Sequence, residues 1–160
     1  MGSILSLCPG MGVGKEENFT NSIQDSINSD NVVMRGGDVV NQGQCVHCGV
    51  RVNNNGISVV KYYYLRLQGN GELVLYTPTF IAGIPMEIIW QTGGIKQGTR
   101  PYKLKLEQNA NLVIQDIMGM IMWQTNSKQK NCKGIPEVIL NGESFGIRVG
   151  KKIVWSSALK

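Results

Sequence analysis

Two stretches of the chain set polar side chains on alternate positions beside a small apolar one. In LRLQGNGELVLY (65–76), Gln68, Asn70 and Glu72 precede Val74 and Tyr76. In LKLEQNANLVIQ (104–115), Glu107, Asn109 and Asn111 precede Val113 and Gln115. A side-chain period of two puts each set on one face of an extended chain. Amides and carboxylates offer paired donors and acceptors that match vicinal hydroxyls. Each valine would floor a shallow pocket, and Tyr76 would add a polar edge. Binding at one such site would be weak, and its use would rest on several sites acting together. The same alternation is also what a solvated outer sheet face requires.

Other chemistries find little support. The one histidine, His47, lies between Cys45 and Cys48 in CVHC. That is half of a zinc-site spacing, but joint ligation by the three would be awkward; no metal is expected, and the cysteines read as free thiols. GMGVGK, at 10–15, looks like a phosphate loop, but Glu16 stands where Ser or Thr is needed and no strand precedes it. Glu72 and Glu107 come from different units and are not a catalytic carboxylate pair. No enzyme and no cofactor are expected. The net charge of +5 is scattered, with KQKNCK its densest cluster. It reads as solubility rather than nucleic-acid binding.

The elements that would position these residues are short strands. Gly is frequent, with 20 residues, and Pro is scarce, with 5. No convincing amphipathic helix is present. The informative feature is recurrence. The two stretches above are followed by Trp90 and Trp123, and a weaker third, PEVILNGESFGI at 136–147, by Trp155. Asn70, Asn109 and Asn141 correspond, and Asn70-Gly71 and Asn141-Gly142 are strong hairpin signals. Asn109-Ala110 holds the same place with a poorer turn former. Each unit reads as strand, turn, strand, turn, strand. Three such sheets must bury their apolar faces against one another, with the tryptophans as wedges. Residues before Leu65, MRGGDVV and GISVVKYYY among them, are expected to complete the first sheet.

On these residues the chain resembles the bulb-type, monocot mannose-binding lectins, a family with relatives in fishes and lower eukaryotes. The family pattern is Q-x-D-x-N-x-V-x-Y followed by Trp. The resemblance covers about 31–157. It implies an all-β fold, the β-prism II, of three short antiparallel sheets around a pseudo-threefold axis. It also implies non-catalytic binding of mannose-containing glycans or a glycoprotein. Gln68, Val74 and Tyr76 match the first unit, with Asn70 and Glu72 standing for the Asp and Asn. Asn111 and Val113 match the second, with Glu107, Asn109 and Gln115 departing from the Gln, Asp and Tyr. In the third, Ile139, Phe145 and Ile147 replace the contact residues, so that site looks lost. The first unit is the better pocket candidate. Family members often pair, sometimes by exchanging C-terminal strands, and VGKKIVWSSALK could play that part in a homodimer.

Residues 1–30 read as a weakly ordered segment, 31–157 as the domain and 158–160 as a tail. MGSILS matches an N-myristoylation acceptor at Gly2, and Cys8 lies close enough for a second acyl chain. No secretory leader and no run of apolar residues long enough to span a membrane is visible. The expectation is therefore a cytoplasmic protein, membrane-associated if acylated. The alternative function is a protein-interaction module on a lectin-like fold that has lost sugar binding. Its candidate contact surface is the insertion TPTFIAGIPM with Phe80, Ile81 and Ile84.

Overall fold

The structure is a computed structural model that describes residues 31–95 and 97–158 and the strand Leu5–Ser6; the side chains of Leu5, Ser6, Asn54, Phe80 and Ile81 are not described. The strands in chain order are β1 (Leu5–Ser6), β2 (Val32–Arg35), β3 (Val39–Asn41), β4 (Cys45–Asn54), β5 (Ile57–Leu67), β6 (Leu73–Ile81) and β7 (Ile84–Gln91). They continue as β8 (Lys103–Leu106), β9 (Leu112–Gln115), β10 (Ile121–Gln124), β11 (Pro136–Leu140), β12 (Phe145–Val149) and β13 (Lys152–Ser156). They form three antiparallel sheets, ordered β1-β4-β5-β6-β7, β10-β9-β8-β3 and β13-β12-β11-β2. No helix occurs among the described residues. The all-β, three-sheet expectation is met.

Alternation builds the core. Leu65, Leu67, Leu73 and Leu75 point inward from the first sheet. Leu104, Leu106, Leu112 and Ile114 do so from the second, and Val138, Leu140, Phe145 and Ile147 from the third. Trp90, Trp123 and Trp155 lie on β7, β10 and β13, each an edge strand. Their rings meet edge to face at 5.9, 6.1 and 6.2 Å, so each sheet touches the other two through one side chain. Phe145 packs beside them, 4.9 Å from Trp90. The three indoles are partly buried and pack against the core rather than lying inside it.

The start of the domain departs from expectation. β5 completes the first sheet, as GISVVKYYY suggested, but β2 and β3 do not join it. β2 pairs with β11, and β3 with β8. Gly36 and Gly37 carry the chain between those sheets. Gly36 N–H donates to the Pro136 carbonyl at 2.9 Å, and Gly37 N–H to the Leu106 carbonyl at 2.7 Å. A Cβ on Gly36 would meet Gln108 Oε1 at 2.7 Å and the Pro136 ring at 3.1 Å. A side chain there would have to displace the Gln108 amide and press on the Pro136 ring. The extra strand of the first sheet is instead β1, paired with Val46 and Cys45; the rest of 1–30, with Gly2 and Cys8, lies outside the described residues.

Candidate functional site

Apart from Gln115 on β9, the polar amides and carboxylates of the first two units lie on tight turns rather than on continuous strands. In the first, Gln68 N–H donates to the Glu72 carbonyl at 2.8 Å, and Gly71 N–H to the Gln68 carbonyl at 3.0 Å. Asn70 Oδ1 accepts the Glu72 N–H at 3.0 Å. The second repeats this geometry: Glu107 N–H to the Asn111 carbonyl, Ala110 N–H to the Glu107 carbonyl, and Asn111 N–H to Asn109 Oδ1. An asparagine at each centre serves the turn itself. Gly71, Ala110 and Gly142 occupy equivalent left-handed positions, with φ of 83°, 77° and 79°. The turn interrupts the alternation, so Gln68, Asn70 and Glu72 border Val74 and Tyr76 rather than continuing their row.

Val74 and Tyr76 do face away from the central core. They belong to a second apolar cluster with Cys45 and Tyr64 on the outer face of the first sheet. Both are fully buried, and Tyr76 stacks on Tyr64 at 5.5 Å. The Tyr76 hydroxyl is buried without a hydrogen-bond partner among the described residues. Burial pushes its ionisation well above the usual phenol range, with Arg66 pulling the other way. Gln68 and Glu72 stay half-buried and Asn70 exposed at the rim.

In the second unit, Glu107, Asn109 and Gln115 are half-buried. Val113 is buried, flanked in register by Lys105 and Gln124. Asn111 is committed inside the fold. Its Nδ2 donates to Gln124 Oε1 at 2.9 Å, and its Oδ1 accepts the Ser127 N–H at 3.2 Å, with the Thr125 hydroxyl 3.3 Å away. In the third unit Ile139, Phe145 and Ile147 are buried, and Asn141 Oδ1 accepts from Asn31 Nδ2 at 3.2 Å.

One constellation escaped the sequence reading. Two residues after each tryptophan stands a hydroxyl: Thr92, Thr125 and Ser157. Each accepts the N–H of the residue opening the unit's second strand, Leu73, Leu112 and Phe145, at 3.1, 3.1 and 3.0 Å. The backbone returns the bond each time, from the N–H of Thr92, Thr125 and Ser157 to those residues' carbonyls. The text W-Q-T, W-Q-T, W-S-S carried the signal.

CVHC lies within β4, and three residues' separation on a strand sends its cysteines to opposite faces. Cys48 joins the central core and Cys45 the outer cluster, so the pair cannot share a metal or a bond. Among the described residues no His, Cys, Asp and Glu cluster could hold a metal ion. The free-thiol reading holds for Cys48 and Cys132, and is corrected for Cys45, which is disulfide-bonded. Burial pushes the Cys48 thiol up to about 11 and the His47 imidazole down to about 4. Beyond the two units, a cleft of about 280 Å³ is lined by Gln42, Tyr102, Lys103, Asp116 and Ile117 among others, and includes none of the residues named from the sequence.

Three edge-stacked indoles joining three antiparallel sheets decide the architecture. The fold is a β-prism II. It matches a Japanese Marasmius oreades lectin at 16% identity and TM-score 0.53, over 78% of this chain and 87% of that one. The mannose-specific agglutinin from snowdrop (Galanthus nivalis) bulbs, complexed with methyl-α-D-mannoside, matches at 21% and 0.50, over 79% and 95%. A lectin from Allium sativum matches at 18% and 0.51, over 75% and 94%. At these identities the likeness of the structures shows the shared fold alone. No family model matches the sequence, and no curated protein matches it.

Proposed function

We propose that the chain is a non-catalytic glycan-binding module with weak, multivalent recognition of mannose-type sugars. The observation that carries this reading is the β-prism II architecture itself, shared with a lectin whose structure holds methyl-α-D-mannoside. Two turn-bordered units on that frame present amides and carboxylates at their rims. The second unit is the stronger candidate. Val113 is as fully buried as Val74, but it lies between Lys105, whose long side chain can swing aside, and Gln124, which is held to Asn111, whereas Val74 is packed into an aromatic cluster. Glu107, Asn109 and Gln115 would engage hydroxyls, with Asn111 holding the turn from behind. Gln68, Asn70 and Glu72 would form an auxiliary rim. Against catalysis stands His47, buried with its imidazole held neutral and Cys48 on the opposite face.

A glycan array at graded density tests this reading. Binding to mannose-terminated glycans should rise with density and fall about tenfold, roughly 1.4 kcal/mol, in Glu107→Ala and Gln115→Ala. Absence of binding to every mannose-containing glycan would sink the proposal.

A second reading has its own observation. The fully buried Val74 and Tyr76 give the first unit no open floor, which favours a protein-interaction module on a lectin-like fold. Ile84 is exposed at the tip of the β6–β7 hairpin, where such a contact was expected. A pulldown fully eluted by free mannose would count against it. Acylation at Gly2, cytoplasmic residence and homodimer formation are proposals on the sequence alone. The Cys45 disulfide weighs toward an oxidising compartment, and cell fractionation separates the two locations.

A further inference from the structure

The turn between β9 and β10 exposes an apolar tip that the fold does not require. Ile117, Met118, Met120 and Ile121 are 57%, 76%, 63% and 45% exposed, four large apolar side chains within five residues. The corresponding turn between β12 and β13 carries Gly150, Lys151 and Lys152 instead. Asp116 clamps the base of the tip. Asp116 Oδ1 accepts the N–H of Met118 at 3.0 Å and of Met120 at 2.9 Å, and Oδ2 accepts the N–H of Thr99 at 3.1 Å. Further backbone bonds run from Asp116 N–H to the Met120 carbonyl, from Gly119 N–H to the Asp116 carbonyl, and from Ile117 N–H to the Thr99 carbonyl.

The tip's surroundings are basic. Lys103 lines the cleft with Ile117, and Arg100, next to Thr99 in the chain, sends one guanidinium nitrogen to the Gly69 carbonyl at 3.4 Å; both are exposed. Across 97–103 and 115–122 the single acidic residue is Asp116. It is buried and saturated by backbone donors.

We propose that the turn 116–120 is a lipid-contact element that seats its apolar tip in an anionic membrane surface, with Arg100 and Lys103 meeting the headgroups. An exposed apolar turn with a clamped backbone, Lys103 beside it and Arg100 near it in the chain suits a deformable interface in which side chains enter the acyl boundary and charges stay at headgroup level. Exposed apolar clusters of this kind mark interaction sites. The inference is independent of sugar binding and of acylation.

Vesicle co-sedimentation with the full, unacylated chain tests it, using phosphatidylcholine alone and with about 30% phosphatidylserine. Wild type should sediment with the anionic vesicles. Met118→Asp with Met120→Asp should reduce that binding about tenfold or more, with an unchanged melting temperature. Arg100→Glu with Lys103→Glu should remove the preference for phosphatidylserine. If the aspartates weaken the fold, Met118→Gln with Met120→Gln provides the same comparison. Wild type left in the supernatant with both vesicles, or a tip variant that binds like wild type, would overturn the proposal. So would a wild-type dimer, indifferent to vesicles, that the tip variant makes monomeric, since the tip would then be a contact between copies.

Discussion

At the residue scale, Asn111 and His47 show how a polar side chain can be spent on architecture. All of the Asn111 carboxamide contacts named above lie within its own unit, and the residue is buried. Asn111→Ala would leave the Ser127 N–H and Gln124 Oε1 short of a partner. The expected loss is about 1–3 kcal/mol in denaturant unfolding. His47 sets a pH dependence. Its imidazole is held down to about 4 by burial, against about 6.5 in the unfolded chain. The unfolded state therefore takes up a proton first as pH falls. Stability from this group is full above about pH 6.5 and drains away down to about 4, by up to ~3 kcal/mol. Melting from pH 7 to 4.5 should show that decline, and His47→Gln should flatten it. Asn111 was legible as a match to a pattern, yet its role was not. Spacing says which face a residue shares, not whether Gln124 already takes its donor and Thr125 and Ser127 its acceptor.

At the element scale, the turns govern which side chains can meet a ligand. Gly71 and Ala110 hold the same left-handed place under different constraints. A Cβ at Gly71 would come within 2.8 and 2.9 Å of Ile95 carbons, at a φ that side chains resist. Gly71→Ala should therefore cost about 1–3 kcal/mol. Ala110→Gly relieves roughly 1 kcal/mol of left-handed strain but gives up a buried methyl worth about as much. Its thermal midpoint should stay close to wild type. Hairpins were readable because Asn-Gly pairs dictate turn geometry locally. The destinations of β2 and β3 were not, because pairing across sheets depends on which distant edge is vacant. Only Gly36-Gly37 hinted at a crossing, and two glycines alone do not say between what.

At the scale of the whole molecule, three edge strands are tied by three indoles. Trp123→Ala should remove the edge contacts to both Trp90 and Trp155, at a cost of about 3–5 kcal/mol by chemical denaturation. That fold was largely visible in the recurrence of Asn, Gly and Trp, since threefold recurrence leaves few ways to bury three apolar faces. The candidate binding surface was less visible, because it depends on what covers each valine. On the function proposed above, the second unit binds a sugar. A titration of isotope-labelled protein with methyl-α-D-mannoside, followed by amide and side-chain resonances, tests it most directly. Saturable shifts clustered at Glu107, Asn109, Val113 and Gln115, with Kd on the order of 1 mM, are the expected result. Unmoved resonances in that unit at tens of millimolar sugar (roughly ten times that Kd), with the fold intact, would contradict it.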